Sequence, residues 1–314
     1  MNEKRLKLPV SQGKSGVVSA GQVIGKAMLV EEADAYYAVN PNAIITVNCV
    51  AACNARCFFC YNRQTFMRCG SYVSADHPCI ERALRFARKA GICRAGLSGG
   101  EPTLCPKELL ALAEKLRDAG FAQIRLHTNG LLLSEKLRFA EREAPLYAHL
   151  RVAGITDVSI SVADHRPERN KAIMGVDNIK GLCVVLSALL DSGVHIRFSS
   201  FLCPEGLYNA DEAEDYLRWG LNLGVRQFIF RIPFAPDGVA PTLLEQVEKR
   251  LLERGYTLRY SHCKSDSVIY ELETPDSSVS LSCAREEPDP DQKIRRLIYM
   301  PDNVLYTSWN QRMG

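Results

Sequence analysis

The chain reads as an α/β protein in which six strand–helix repeats build a parallel sheet, followed by a smaller β-rich region. Three observations support this. Apolar strand-like runs alternate with helical patterns from residue 43 to 254. Glycines follow most of the helical patterns. After residue 255 the helical period stops and only short strand-like runs remain.

Residues 1–41 are Gly- and Ser-rich, with short apolar runs such as Gln22–Val30, and read as an N-terminal extension with one or two strands. Gly13-Lys14-Ser15 is no phosphate-binding loop, because the glycine required five positions earlier is Leu8. The repeats follow. Strands are expected at 43–48, 95–98, 123–128, 155–162, 194–202 and 225–232. Helices are expected at 77–90, 106–119, 134–150, 178–192, 209–223 and 241–254. Gly91, Gly120, Gly193, Gly224 and Gly255 stand where helix C-termini favour glycine. Six repeats are too few for a closed eight-fold barrel, so a partial, partly open (β/α)6 parallel barrel is expected, with ligands at the carboxyl ends of its strands. Short strands are expected at 256–260, 267–273, 278–283, 294–300 and 304–309, with Asp302-Asn303 as a tight turn between the last two. The acidic, Pro-rich stretch 286–291 reads as a solvated linker. This gives an extension (1–41), a barrel (42–254) and a β-rich C-terminal region (255–314) that covers the barrel opening.

The 314 residues are 46% hydrophobic and 24% charged, ordinary for a globular chain with a full core. A net charge of +3 is weak support for a nucleic-acid partner. No apolar run reaches membrane-spanning length, and the polar start Met1–Lys7 has no apolar stretch behind it, so neither a membrane partner nor secretion is expected. Twelve cysteines in such a chain point to a reducing cytoplasm and metal chemistry, not to a disulfide framework. Cys69, Cys79, Cys93, Cys105, Cys183 and Cys203 are scattered singly and read as core packing.

The remaining cysteines include a crowded group. Cys53, Cys57 and Cys60 lie in Cys49-Val-Ala-Ala-Cys53-Asn-Ala-Arg-Cys57-Phe-Phe-Cys60-Tyr61, directly after the first expected strand. Three thiolates on one tight loop can hold three irons of a [4Fe–4S] cube and leave the fourth iron open. Four cysteines at 49, 53, 57 and 60 could instead make a structural zinc site. Zinc sites, however, usually join two well-separated pairs. Cys49 reads as a small buried residue at the strand end.

The spacing of three residues, then two, resembles that of the radical S-adenosylmethionine (SAM) superfamily. The resemblance implies that SAM chelates the open iron and is cleaved to a 5′-deoxyadenosyl radical, which abstracts hydrogen from a substrate. It also implies the superfamily's partial barrel and an external electron donor of flavodoxin or ferredoxin type. Phe59 occupies the family's aromatic position, whose backbone meets the adenine. Ser98-Gly99-Gly100-Glu101-Pro102 after the second strand matches the Gly-Gly-Glu-Pro motif that meets the SAM amino group, and its glycines allow close backbone approach. Thr128-Asn129-Gly130 resembles the family's turn after the third strand, with Thr128 facing SAM. Asp157, Ser159 and Ser161 alternate onto one face of the fourth strand, where the family contacts the ribose. Arg197 and Ser199 share a face of the fifth strand and could reach the SAM carboxylate or ribose; Arg231 on the sixth could bind an anionic substrate. An internal polar network is the competing reading for these three, and His127 reads equally as a packed or a pocket residue.

The tail is similar to those of molybdopterin-precursor cyclases and peptide maturases, but Ser308 stands where their auxiliary-cluster cysteine would be, leaving only Cys263 and Cys283 nearby. A small-molecule substrate (nucleotide, sugar or amino-acid-like) is therefore expected, with Arg231, Tyr306 and Trp309 as candidate pocket residues. Modification of a peptide is the alternative, and a non-catalytic zinc- or SAM-binding module is the remote one.

Overall fold

The structure is a computed structural model that describes residues 17–18, 22–23, 28–32, 35–60, 72–232, 240–263, 267–284, 293–308 and 311–313. Tyr61, Cys69, Trp309 and the stretch 286–291 lie outside these residues.

Strands β1 (Val17–Val18) and β2 (Gln22–Val23) pair with each other, and β3 (Met28–Glu32) pairs antiparallel with the start of β4 (Ala35–Val50). The repeats then supply β5 (Arg94–Gly99), β6 (Gln123–Thr128), β9 (Asp157–Ser161), β10 (His195–Phe201) and β11 (Gln227–Ile232). A separate hairpin, β7 (Lys136–Phe139) and β8 (Arg142–Pro145), interrupts them. The helices are α1 (Pro78–Lys89), α2 (Pro106–Asp118), α3 (Leu146–Leu150), α4 (Pro167–Met174), α5 (Leu182–Asp191), α6 (Ala210–Asn222) and α7 (Ala240–Glu253). After residue 255 come β12 (Thr257–Cys263), β13 (Ser267–Glu273), β14 (Ser278–Ala284), β15 (Ile294–Tyr299), β16 (Leu305–Ser308) and β17 (Gln311–Arg312).

One 13-stranded sheet carries the fold, in the order β12-β13-β14-β11-β10-β9-β6-β5-β4-β15-β16-β17, with β3 also on β4. The six strands β4 to β11 of the repeats are mutually parallel. The strands after 255 join this same sheet at both ends. β14 adds in parallel to β11, and β15 adds in parallel to β4, each followed outward by antiparallel strands. Among the described residues β14 and β15 do not pair with each other, so the sheet keeps two ends.

Alternation divides the strands into two faces. Ile45 and Val47, Leu97, Ile124 and Leu126, Val158 and Ile160, and Phe198 are buried outward. The helices cover them with amphipathic stripes such as Ile80, Ala83, Leu84 and Ala87 on α1. The opposite face carries Thr46, Ser98, His127, Ser159, Ser161, Arg197, Ser199 and Arg231.

Two expectations are corrected. The helix expected at 134–150 is the β7–β8 hairpin followed by the five-residue α3. Its helix-forming composition is overridden by Pro145, which cannot continue a helix, and by the turn pair Ala140 and Glu141, both at positive φ (46° and 64°), the conformation that fits a two-residue hairpin. The single cysteines are not generally core residues: Cys79, Cys93 and Cys183 are exposed, Cys105 is half-buried, and Cys203 alone of the five is buried. Cys79 falls off the apolar stripe of α1, which begins at Ile80.

Candidate functional site

The loop bearing Cys53, Cys57 and Cys60 leaves the carboxyl end of β4 and is tied to three elements. At β5, the amides of Gly100 and Glu101 donate to the carbonyls of Val50 (2.6 Å) and Ala52 (2.8 Å). These contacts require glycine. A Cβ on Gly100 would lie 2.0 Å from Ala52 O, and one on Gly99, whose φ is +126°, would lie 2.5 Å from Val50 O. At the end of α4, the amide of Arg56 donates to Met174 O (2.8 Å). Beyond β6, the side-chain amide of Asn129 donates to Asn54 Oδ1 (2.7 Å).

The three cysteines are in no disulfide and are exposed or half-buried, and the Ala55 amide points at Cys53 Sγ (3.4 Å). Partial burial, and then Glu101 and Cys60, push the Cys53 thiol up. Cys49 behaves differently. It is buried, its Sγ faces Val47 O (3.6 Å), and burial pushes its thiol up to about 12, so it stays a packed thiol. Three cysteine thiols on one loop are the donor chemistry of a [4Fe–4S] cluster, and the set fits such a group.

Glu101 is 1% exposed and its carboxylate takes four donors. Oε1 accepts from Thr103 N (3.1 Å), Thr103 Oγ1 (2.6 Å) and Thr128 Oγ1 (2.6 Å), and Oε2 accepts from Asn129 N (2.7 Å). Burial pushes its carboxyl up while these donors pull it back. The Thr128 hydroxyl also accepts from Gly130 N (3.0 Å). The side chains of Glu101 and Thr128 are thus turned to each other and fasten the end of β5 to that of β6.

Phe59 stacks on Phe201 at the end of β10, with ring centroids 3.8 Å apart, and packs with Ile173 and Met174. Ser159 is buried and accepts from Arg197 Nε (3.2 Å), and Arg231 donates to Ser199 Oγ. Ser161 is half-buried at the end of β9. The structure thus brings the cysteine loop, Phe59, Gly99, Gly100, Glu101, Thr128 and Ser161 to the carboxyl ends of the strands. Ser159 and Arg197 lie one alternation lower on the polar face. Tyr306 packs against Ile298, Met300 and Ala51, beside the start of the cysteine loop.

Sequence reasoning missed a buried asparagine chain. Beyond its bond to Asn54, Asn129 accepts at its carbonyl from Asn178 Nδ2 (2.6 Å), which also reaches Ser161 O (2.8 Å). Asn170 Nδ2 donates to Asn178 Oδ1 (2.6 Å), and its own Oδ1 accepts from Ala163 N (2.8 Å). Only Asn129 lies in a motif; the fold alone unites the others.

Comparisons agree with this geometry. "Probable GTP 3′,8-cyclase" of Saccharolobus solfataricus is 26% identical over 269 residues, covering 81% of this chain and 82% of that protein. GTP 3′,8-cyclase of Heliobacterium modesticaldum is 28% identical over 221 residues, 68% of this chain and 64% of that protein. The fold is similar to that of Streptococcus suis SuiB bound to S-adenosylmethionine, with a TM-score of 0.60 at 14% identity, over 88% of this chain. This chain spans 64% of SuiB's length. No helix among the described residues is long and apolar enough to cross a membrane. The sequence matches the radical SAM superfamily over residues 47–220, and the chain belongs to that superfamily of enzymes, whose members use a [4Fe–4S] cluster and SAM.

Proposed function

We propose that Cys53, Cys57 and Cys60 hold the cluster and that the protein uses SAM to abstract hydrogen from a small-molecule substrate. When bound, the cluster supplies the electron that cleaves SAM to the 5′-deoxyadenosyl radical. The protein's part is to position and to exclude water. The observation that carries the reading is the clamp of the cysteine loop onto Gly99–Gly100, which presents three thiols outside any disulfide at the carboxyl ends of a parallel sheet. Gly99, Gly100 and the Glu101 backbone line the SAM amino group, Phe59 and Ser161 face the nucleoside, and the Glu101–Thr128 latch fixes the wall between them. An external electron donor of flavodoxin or ferredoxin type completes the system, and the cytoplasm is the compartment that suits exposed thiols.

The relatives named for GTP support a small molecule. A peptide is the second reading, supported by the likeness to SuiB, which is known bound to its precursor peptide SuiA. The half-buried, charged inner face of the sheet favours the small molecule. Anaerobic reconstitution should give about four irons per chain, and reduction with SAM should release 5′-deoxyadenosine. The triple variant Cys53→Ala, Cys57→Ala, Cys60→Ala should do neither. A colourless wild-type protein with stoichiometric zinc would overturn the proposal.

A further inference from the structure

We propose that Thr46, Gly96 and His127 form a notch that binds an uncharged hydroxyl or amide of the substrate. This deepens the small-molecule reading and rests on it. The starting point is a glycine that neither backbone nor packing requires. Gly96 lies inside β5 and is not among the glycines at positive φ. A Cβ placed on it would meet no heavy atom closer than 3.7 Å, so no neighbour demands its small size. Glycine inside a strand weakens the strand and often marks the close approach of a ligand. Here it leaves a space the size of a methyl group. Two polar atoms face that space from the strands on either side. Thr46 Oγ1 on β4 and His127 Nε2 on β6 each stand 3.7 Å from the point that the Cβ would occupy.

Register places the three residues together. Thr46 is the strand partner of Gly96, and His127 follows Leu126, the partner of Leu97. Ile45, Val47, Leu97 and Leu126 are buried on the helix-covered side, so Thr46, Gly96 and His127 share the opposite face. Both polar side chains are half-buried. Among the described residues neither the Thr46 hydroxyl nor the His127 imidazole has a hydrogen-bond partner. Their chemistry sets the class of ligand. Desolvation, and then Arg197, Arg231, Arg125 and Arg296, hold the imidazole well below the usual range, so it is neutral near pH 7. A neutral imidazole donates at one ring nitrogen and accepts at the other, and a hydroxyl does both. The pair therefore matches a group that can donate and accept, and an apolar group in its place would leave both unanswered. Gly96 stands three residues before Gly99, about 10 Å along the strand. A metabolite anchored in the notch would span that depth toward the strand ends, where Ser161 and the cysteine loop lie.

The test uses the oxidised, cluster-loaded protein without SAM, labelled with isotopic nitrogen in its histidine rings. The His127 signals, assigned by their loss in His127→Gln, are followed by NMR during titration with acetamide and, separately, with ethanol. At least one probe should shift them saturably, and the tighter of the two tells whether the notch suits an amide or a hydroxyl. N,N-Dimethylacetamide, which is larger and has no donor, should not. Thr46→Val should weaken the better probe roughly fivefold, the worth of one hydrogen bond. Gly96→Ala, whose methyl makes only ordinary contacts, should fold and abolish the response by filling the space. Ser187→Ala, on the exposed side of α5, should leave it unchanged. The absence of a saturable shift with both probes, or wild-type affinity in Gly96→Ala, would overturn the notch. The measurement is independent of SAM. A protein that answers the probes but cleaves no SAM sinks the radical reading alone, and one that cleaves SAM but answers neither probe sinks this inference alone.

Discussion

Gly100→Ala tests why the motif after β5 carries glycine. The new Cβ would stand 2.0 Å from Ala52 O and 2.5 Å from Ala52 C, both backbone atoms that cannot rotate away. Real Cβ atoms essentially never come within 3.0 Å of a neighbour, so the cysteine loop must retreat by about 1 Å. That retreat loosens the two amide bonds to Val50 and Ala52, and overpacking of this kind costs about 1–3 kcal/mol. At about 2 °C per kcal/mol for a chain of this size, the apoprotein should melt about 2–6 °C lower. Because the shift falls on the loop between Val50 and Cys53, iron loading should suffer more than stability, dropping below half of the wild-type content. Gly96→Ala is the matched control. Its Cβ would meet His127 Nε2 and Thr46 Oγ1 at 3.7 Å, an ordinary contact, so it should melt like the wild type and load iron fully. Differential scanning calorimetry and iron analysis after anaerobic reconstitution read both. Full iron loading and an unchanged melt in Gly100→Ala would refute the steric argument.

Asn178→Ala should destabilise the protein by about 2–5 kcal/mol, because it strands the buried Asn170 amide and the carbonyls of Asn129 and Ser161; a melt within 1 °C of wild type would show that water takes its place. Asp157 supplies a pH dependence. Burial pushes its carboxyl up, but Arg125, Thr156 and Gln123 outweigh that and hold it below its ordinary value of 3.8. Its contribution is therefore complete above that value and lost as pH falls through the lower folded-state value. Asp157→Asn should lower stability near neutral pH and narrow its gap to wild type in acid, checked by urea denaturation from pH 7 to pH 3. A gap that widens in acid would reverse the assignment.

The parts of the fold that local pattern determines were legible. Strand β6 lies at Gln123–Thr128 as expected, because its alternation is bracketed by Gly120 and Gly130, both at positive φ. The glycines expected at helix ends, from Gly91 to Gly255, likewise all take positive φ. Non-local choices were not legible. The strand expected at 43–48 begins earlier, at Ala35, inside the expected N-terminal extension, and runs on through Asn40-Pro41-Asn42. Pro41 is tolerated because the pairing with β15 shifts register between Val39 and Ile44, where no ladder bond from its nitrogen is needed. Nothing local in β14 or β15 says that each adds in parallel to opposite ends of the sheet. At the site, cysteine spacing announced the loop, and Gly-Gly-Glu-Pro announced its neighbour. The asparagine chain was invisible because 54, 129, 170 and 178 share no spacing.

The tethers of the cysteine loop determine which substitutions reach the thiols. The loop is held by β5 through Gly100 and Glu101, by α4 through Met174, and by the turn after β6 through Asn129. Glu101 then joins β5 to β6, and Asn178 joins that turn to β9. The loop's position therefore reports the relative placement of four elements, and a defect in any one reaches the thiols. Defects in iron loading should thus map to the glycines, asparagines and Glu101 at the strand ends, because holding a cluster requires rigid backbone geometry.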